Sequence, residues 1–467
     1  MSLHLESLSL KTTSKGARVW LNNASSKNCG FVTGANYTVN YFESYVDVIL
    51  EEEGKRVVVE GNIMDIQNNR LAKVFSDTDR VHVEYQYGRV RIKPYYHDEK
   101  IKRRKVSLIE RVSKNSPIRI GELFAGTGWL GKKVAEGLLI AGISSSLAFA
   151  NEHDRHGADL INNFQETTQI SNAVIVQDDL FNMDKSLVPE LDIMVMGYPC
   201  VGFTGQQSVK RSMDIEHEAA GMLFVPVLDV LNRANPSVII LENSDKMIDS
   251  TTDHIMTTVL SKAGYKFSHT ILSGTEYGDF EQRKRLAKVY YSENLAELDL
   301  SLLVPTKEKV RTFSEVLEPI SDDSAQWRDL SYLAKKNDET KHGHKFIVSK
   351  PEDTRLPAFS ASYGKTQADS ALIEHPTNPA LHRICSAGEH CNVRRITGNL
   401  KAAIVSIADG THHLQKGRTN ATKSHSLLGN SITPTPWKRL GEFLGNWINA
   451  QTSITKVKKS FAETLFV

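Results

Sequence analysis

Four side chains have the types and settings that nucleophilic and acid–base chemistry would need. Cys200 follows Pro199 in M-G-Y-P-C-V-G-F-T (196–204). A thiol presented by a rigid, glycine-flanked turn is placed to act as a nucleophile. The commoner fate of a cysteine is a buried structural position, and Pro199 weighs against that by breaking the element. Glu242 ends the apolar run of I-I-L-E-N-S (239–244). A carboxyl at the end of a buried strand should hold its proton to higher pH and so be able to donate it. In Y-G-D-F-E-Q-R-K-R-L (277–286), Arg283 and Arg285 alternate and share one strand face. Either could grip a carboxylate or phosphate with two hydrogen bonds, although a solvated basic edge has the same composition.

A second group of residues suits a nucleotide-like ligand. Gly126, Gly128 and Gly131 in G-E-L-F-A-G-T-G-W-L-G (121–131) form a literal G-x-G-x-x-G. Glycines between a strand and a helix allow a tight turn and close approach of backbone to ligand. The pattern fits a nicotinamide dinucleotide as readily as another adenosine cofactor. Glu152, in N-E-H-D, could accept both ribose hydroxyls, and is otherwise a surface acid at a strand end. Asp179, in Q-D-D-L, could accept from an adenine amino group. Its alternative is a helix N-cap, a task for which Asp178 is equally suited.

These residues need a frame, and the flanking pattern supplies one. Strands are expected at Ile118–Phe124, Leu147–Ala150, Ala173–Val176, Ile193–Met196, Val238–Leu241, Phe267–Leu272 and Lys288–Tyr291. Leu130, Val134 and Leu138 recur every four residues, the stripe of a helix. Alternation of strand and helix predicts an α/β domain with a mostly parallel sheet covered on both faces. Phe124, Glu152, Asp179, Cys200 and Glu242 each fall at or just after the C-terminal end of a strand. In an open α/β sheet the ligand crevice lies outside those ends, so five in order argue for a single site.

The chain has 467 residues, suiting two or three domains. Lys and Arg number 57 against 55 Asp and Glu, a net charge of +2, which excludes a strongly basic nucleic-acid glue but not a local basic surface. Four scattered cysteines (Cys29, Cys200, Cys385, Cys391) argue against a disulfide framework and for a reducing cytoplasm. No signal-like start and no apolar run of about 18 residues is seen, so no membrane span is expected.

Residues 1–97 read as a β-rich domain with a degenerate two-fold repeat. The first copy would be strand 18–21 with hairpin 37–41 and 46–50, the second strand 56–59 with hairpin 80–85 and 89–92. Residues 98–116, with K-I-K-R-R-K at 100–105, read as a connecting helix or basic linker with a solvated face. The catalytic domain would run over 117–300. Residues 301–393, polar and irregular with a Lys-rich stretch at 335–345, would be a small domain or insertion. The chain would return to the catalytic domain over 394–448, with helices at Leu400–Ala408 and Trp437–Ile448, and end in a tail, 449–467.

Together the pieces resemble the cytosine-C5 DNA methyltransferase family over 118–300 and about 392–448. F-A-G-T-G is similar to its cofactor loop, G-Y-P-C to its nucleophile loop and E-N-S to its E-N-V. Gly278, Arg283 and Arg285 meet its G-x-x-x-x-R-x-R. L-L-G-N-S-I (427–432) resembles its closing G-N-S-V, and V-R-R-I-T (393–397) the stretch before it. The resemblance implies a Rossmann-like doubly wound fold of the class I methyltransferases, S-adenosyl-L-methionine as cofactor, double-stranded DNA as substrate and no metal. It also implies a target-recognition role for 301–393 and a companion restriction endonuclease. By the same resemblance Cys200 would add to C6 of cytosine, Glu242 would hold and protonate N3, and Arg285, with Arg283 near it, would support that carboxylate and the target. Phe124, Ala125, Gly126, Gly128, Glu152, Asp179, Leu223, Asn430 and Ser431 would contact the cofactor. Pro199, Thr204, which takes the place of a family serine, and Asn243 would contact the target nucleotide.

Departures stand at Val201 (usually Gln), Phe280-Glu281 (usually Pro-Gln) and Ala220 (often Arg). None removes a group that makes or breaks bonds. His382, Cys385, His390 and Cys391 fit no common zinc spacing. The N-terminal stretch 18–39 resembles swapped-hairpin barrels of the AbrB/SymE kind, which often bind DNA; a stabilising or dimerising module is the alternative. Two other functions compete: an RNA cytosine-C5 methyltransferase, and a DNA-binding regulator with an inactive core. A nicotinamide oxidoreductase leaves P-C and E-N-S without a task.

Overall fold

A computed structural model describes residues 4–22, 24–76, 78–164, 173–203, 214–218, 220–306, 310–333, 346–367, 370–410 and 420–464. Thr204 and the Lys-rich stretch 335–345 lie outside these. The chain divides into two compact units, Met1–Arg103 and Arg104–Val467.

Among the described residues the first unit contains nine strands: β1 (His4–Ser9), β2 (Lys11–Thr13), β3 (Gly16–Leu21), β4 (Asn36–Tyr41), β5 (Val46–Leu50), β6 (Arg56–Val57), β7 (Met64–Asn68), β8 (Arg80–Gln86) and β9 (Arg89–Pro94). Six form a sheet in the order β1-β8-β9-β5-β4-β6, and three a second sheet, β2-β3-β7. Alternation explains the strands: Val81, Val83 and Tyr85 of β8 are buried while the residues between them are not. The unit repeats strand, short helix and hairpin. β3, Ala24–Asn28 and β4–β5 make one half; β7, Asn69–Val74 and β8–β9 make the other. β3 pairs antiparallel with β7 and β5 with β9, an approximate two-fold relation.

The lone strand of the second copy is therefore Met64–Asn68, not the expected 56–59. M-D-I-Q-N buries Met64 and Ile66 by period two, whereas Val57 and Val59 are exposed and Arg56–Val57 only edges β4. The hairpin β8–β9 turns at Tyr87-Gly88, where Gly88 takes φ +74, a conformation glycine adopts without strain.

The second unit is built on β10 (Ile118–Leu123), β11 (Ser145–Asn151), β12 (Val174–Val176), β13 (Ile193–Gly197), β14 (Val238–Asn243), β15 (Tyr265–Ser273) and β16 (Lys284–Ser292). Their order is β12-β11-β10-β13-β14-β16-β15, parallel except that β16 runs antiparallel to both neighbours. Each strand feeds two cores. Ile118, Ile120, Ile193, Val195, Val238 and Ile240 join one apolar cluster; Leu123, Met194, Met196, Ile239 and Leu241 join the other. Burial on both faces explains why these strands read as continuous apolar runs. Helix Trp129–Ile140 lies in the first cluster against the long helix Pro434–Thr464. A Cβ on Gly441 would come within 2.3 Å of the Val134 carbonyl oxygen, so glycine sets that close crossing.

Helix Tyr96–Ser113 spans the division between the units. Its basic run is not simply solvated. Arg104 is buried, with its guanidinium 3.8 Å from the Tyr265 ring centre and hydrogen-bonded to Asn235 Oδ1 at 2.8 Å. Lys100 is buried too, whereas Lys102 and Arg103 are exposed. Within 301–393, very short strands form a four-stranded sheet, Arg328–Asp329, Leu381–Arg383, Leu372–Glu374 and Val348–Ser349 in spatial order. Its own core includes Phe313, Leu356, Phe359, Tyr363 and Ile373.

Candidate active site

The chain leaves β10 toward β11 on one side and returns to β13 on the other, so the switch point of the sheet lies between β10 and β13. A cavity of about 340 Å³ opens there. The loop after β10, the turn after β11, the Cys200 turn after β13, Glu242 near the end of β14, Arg283 just before β16 and Arg285 at its start all line it.

The loop after β10 is shaped by backbone conformation. Phe124, Gly126 and Gly128 have φ of +54, +57 and +72. Gly128 begins the helix Trp129–Ile140, and its N–H donates to the Ala125 carbonyl at 2.7 Å. Glu152 holds this loop: its Oε2 accepts the Gly126 N–H at 2.6 Å and its Oε1 the Asp154 N–H at 2.7 Å. Burial raises the Glu152 pKa, and those two N–H groups oppose the shift. Gly157 permits the fit, since a Cβ there would lie 2.5 Å from the Gly126 carbonyl oxygen.

On the other side Cys200 is half-buried and unbridged. Burial pushes its thiol pKa up, and the Glu242 carboxylate adds to that; Arg285 and Arg283 act in the opposite sense. Glu242 is buried and meets Arg285 Nε at 2.9 Å. Its pKa is raised by burial and opposed by Arg285 and Arg283. Arg283 is wholly enclosed; burial, then repulsion from Arg285 and Arg394, pushes its pKa down to about 9. A thiol, an acid whose pKa burial raises and two guanidiniums thus face one space. That arrangement can add sulfur to an electron-poor ring while protonating a ring nitrogen.

Of the residues expected at the site, Phe124, Ala125, Gly126, Glu152, Asn430 and Ser431 line the cavity, as do Pro199, Cys200, Glu242, Arg283 and Arg285. Gly128, Asp179, Leu223 and Asn243 do not line it. Asp179 closes a turn, its Oδ1 accepting the Phe181 N–H at 2.8 Å. Leu223 precedes helix Phe224–Ala234 and packs on the apolar core. Asn243 is fully buried; its Nδ2 donates to the Tyr198 carbonyl at 3.0 Å and its Oδ1 accepts the Ser244 N–H at 2.6 Å. It ties the end of β14 to the Tyr198 carbonyl, two residues before Cys200. His382, Cys385, His390 and Cys391 are all buried, and among the described residues no group of three potential ligands could hold a metal.

Sequence reasoning missed Glu122, Trp129 and Lys423, which also line the cavity. Glu122 is fully buried, its Oε1 accepts the Gly131 N–H at 2.9 Å, and burial pushes its pKa up to about 8. The available signal was an acid set between Gly121 and Leu123 near the end of a strand expected to be buried. Lys423 pairs with Asp154, joining the turn after β11 to helix Asn420–Asn430.

The lining suits S-adenosyl-L-methionine. Phe124, Leu130, Leu427 and Ile432 give apolar walls, and Glu152 gives an acid beside the glycine loop. Glu122 Oε2, Thr127 Oγ1 and Trp129 Nε1 are buried at this end without a hydrogen-bond partner among the described residues. A polar ligand would relieve such a cluster.

Comparison with known proteins agrees with this geometry. The chain is 27% identical over 247 residues to the type II methyltransferase M.Sau96I of Staphylococcus aureus, covering 52% of each. It is 25% identical over 216 residues to M.MspI of Moraxella sp, covering 44% of this chain and 49% of that protein. These matches span about half the length of either relative. Among solved structures, the S. pombe Dnmt2 methyltransferase aligns with a TM-score of 0.52 at 17% identity, covering 71% of this chain and 99% of that one, a likeness of fold. The family model for C-5 cytosine-specific DNA methylases matches residues 118–445, and on that match, centred on the cavity just described, the chain belongs to that family.

Proposed function

We propose that this protein transfers a methyl group from S-adenosyl-L-methionine to C5 of cytosine in double-stranded DNA. The observation that carries the reading is the convergence of Cys200, Glu242, Arg283 and Arg285 on the cavity that the glycine loop also lines. Phe124, Ala125, Gly126, Glu152, Asn430 and Ser431 would hold the cofactor, which supplies an electrophilic methyl group when bound.

The protein's own groups do the rest. C5 of cytosine is a poor nucleophile. Addition of the Cys200 sulfur to C6, with Glu242 donating a proton to N3, turns the ring into an enamine that is nucleophilic at C5. Arg285 fixes the Glu242 carboxyl and stabilises its charge after the proton leaves. Once C5 carries the methyl group, its proton is lost to water, the Cys200 sulfur leaves as thiolate and N3 returns its proton to Glu242, which restores the neutral aromatic ring. The base must leave the duplex to enter the cavity, at a cost of about a few kcal/mol. Residues 301–393 would contact the DNA. The relatives' description as type II methyltransferases supports a companion restriction endonuclease, and four unbridged cysteines fit a reducing compartment.

Tritiated methyl transfer onto duplex DNA and onto transfer RNA tests the substrate. Label on DNA is expected; label on RNA alone would overturn the DNA assignment. DNA carrying 5-fluorocytosine should trap the adduct at Cys200, because fluorine cannot leave as a proton does. Wild-type protein that never forms it would contradict the mechanism.

A further inference from the structure

Residues 280–283 and 356–359 are knitted together just upstream of the strand that carries Arg285. The Leu356 N–H donates to the Phe280 carbonyl at 2.8 Å, and the Gln282 N–H to the Leu356 carbonyl at 3.1 Å. Glu281 extends this link with its side chain, Oε1 accepting the Phe359 N–H at 2.8 Å. Its Oε2 lies 3.0 Å from Arg394 Nε, and both side chains are at most 1% exposed. The Phe359 carbonyl in turn accepts from Arg394 Nη2 at 3.3 Å and from Arg283 Nη1 at 3.4 Å. One backbone residue of the 301–393 segment is thus clamped by Glu281, Arg283 and Arg394.

The charges around this clamp are crowded. Arg283, Arg285 and Arg394 repel one another, and burial leaves them little water to screen that repulsion. Glu242 and Glu281 are the carboxylates set among them, with Asp279 behind, paired with Arg395 at 3.2 Å. Glu242 faces Arg285, Arg283 and Arg394, with the Cys200 thiol across the cavity. Glu281 faces Arg394 and Arg283, and lies within electrostatic reach of Asp279 and the Cys385 thiol. A neutral glutamine at 281 would leave the three guanidiniums opposed by Glu242, with Asp279 more remote. They would then draw Glu242 toward its ionised form, which cannot donate to N3.

We propose that Glu281 is a positioning residue for the methyl-transfer reaction: its charge balances Arg394 so that Glu242 keeps the proton it must give, and its carboxylate ties residues 356–359 to the strand bearing the catalytic arginines. This rests on the reading of Cys200 and Glu242 given above, and the test separates the two. The rate of covalent adduct formation with 5-fluorocytosine duplex DNA is measured against pH for the wild type, Glu281→Gln and Arg394→Gln. Thermal melting and S-adenosyl-L-methionine binding by equilibrium dialysis serve as controls.

An acid that must be protonated makes the rate fall as pH rises through its pKa. Removing the negative charge at 281 should move that alkaline limb to lower pH by about one unit. Removing the positive charge at 394 should move it to higher pH. Opposite shifts from the two partners of one ion pair cannot come from general loosening. If Glu281→Gln fails to fold, the upward shift in Arg394→Gln carries the result alone. A folded variant with an unmoved limb, both limbs moving the same way, or loss of folding in both variants overturns the proposal. Wild-type protein that forms no adduct overturns instead the reading beneath it.

Discussion

Two buried carboxylate–arginine pairs in the second unit have the same chemistry and opposite surroundings. In the 301–393 region Glu389 takes two hydrogen bonds from Arg383, at 2.6 and 2.8 Å, and further ones from the Ser386 and Glu318 N–H groups. Its charge is fully satisfied, and it also completes a capping box on helix Ala387–Val393. At the cavity Glu242 meets Arg285 through one 2.9 Å contact, and burial keeps its pKa raised. A carboxylate bonded from four sides is part of the framework. One whose pKa burial raises while arginines beside it pull the other way is set to change its protonation, which is what acid catalysis demands.

This contrast can be broken in order of effect. Cys200→Ser should lower methyl transfer by at least about 10³-fold, with cofactor binding unchanged in equilibrium dialysis. Normal turnover would remove Cys200 from the chemistry. Glu242→Gln should lower the rate by about 10²- to 10⁴-fold with little change in melting temperature. Glu389→Gln should do the reverse: destabilise by about 3–5 kcal/mol in denaturant titration, while activity per folded molecule holds. Equal effects of the two glutamate variants on both assays would erase the distinction.

A third acid refines it. Glu122 has a folded pKa of about 8 against 4.5 for a free glutamate, owing to burial. The folded state therefore binds a proton that the unfolded chain releases. Its contribution to stability is full below the unfolded value and is lost as pH rises through about 8. Melting temperature should fall over that window, and Glu122→Gln should flatten the fall. Smallest of all, Asp65→Asn, which breaks the half-exposed pair with Arg18, should leave the denaturant midpoint almost unchanged.

The middle of the catalytic sheet was legible because β10, β13 and β14 are buried on both faces. Six of seven expected strands overlap the observed ones along most of their length, and Lys288–Tyr291 is the core of a longer β16. Cys200 and Glu242 were legible by their place at strand ends. Asn243 was not, because one residue along a strand turns a side chain from crevice to interior. Arg104 misled because a basic run reads as solvated until aromatic Tyr265 is found beneath it. The Glu281–Arg394 pair joins positions 113 residues apart by number, beyond the reach of local pattern.

Near the approximate two-fold axis of the first unit, β5 and β9 pair about Val48 and Val90. Asp47 and Arg89 thereby occupy equivalent places in the two halves, yet they differ in sign and bond to each other at 2.8 Å. Arg91 joins the same carboxylate at 2.7 Å. An assembly of two identical polypeptides would have to set acid against acid, or base against base, at those places. Fusing both copies into a single strand of protein lifts that restriction, so the seam between them is sealed by a pairing that true symmetry forbids.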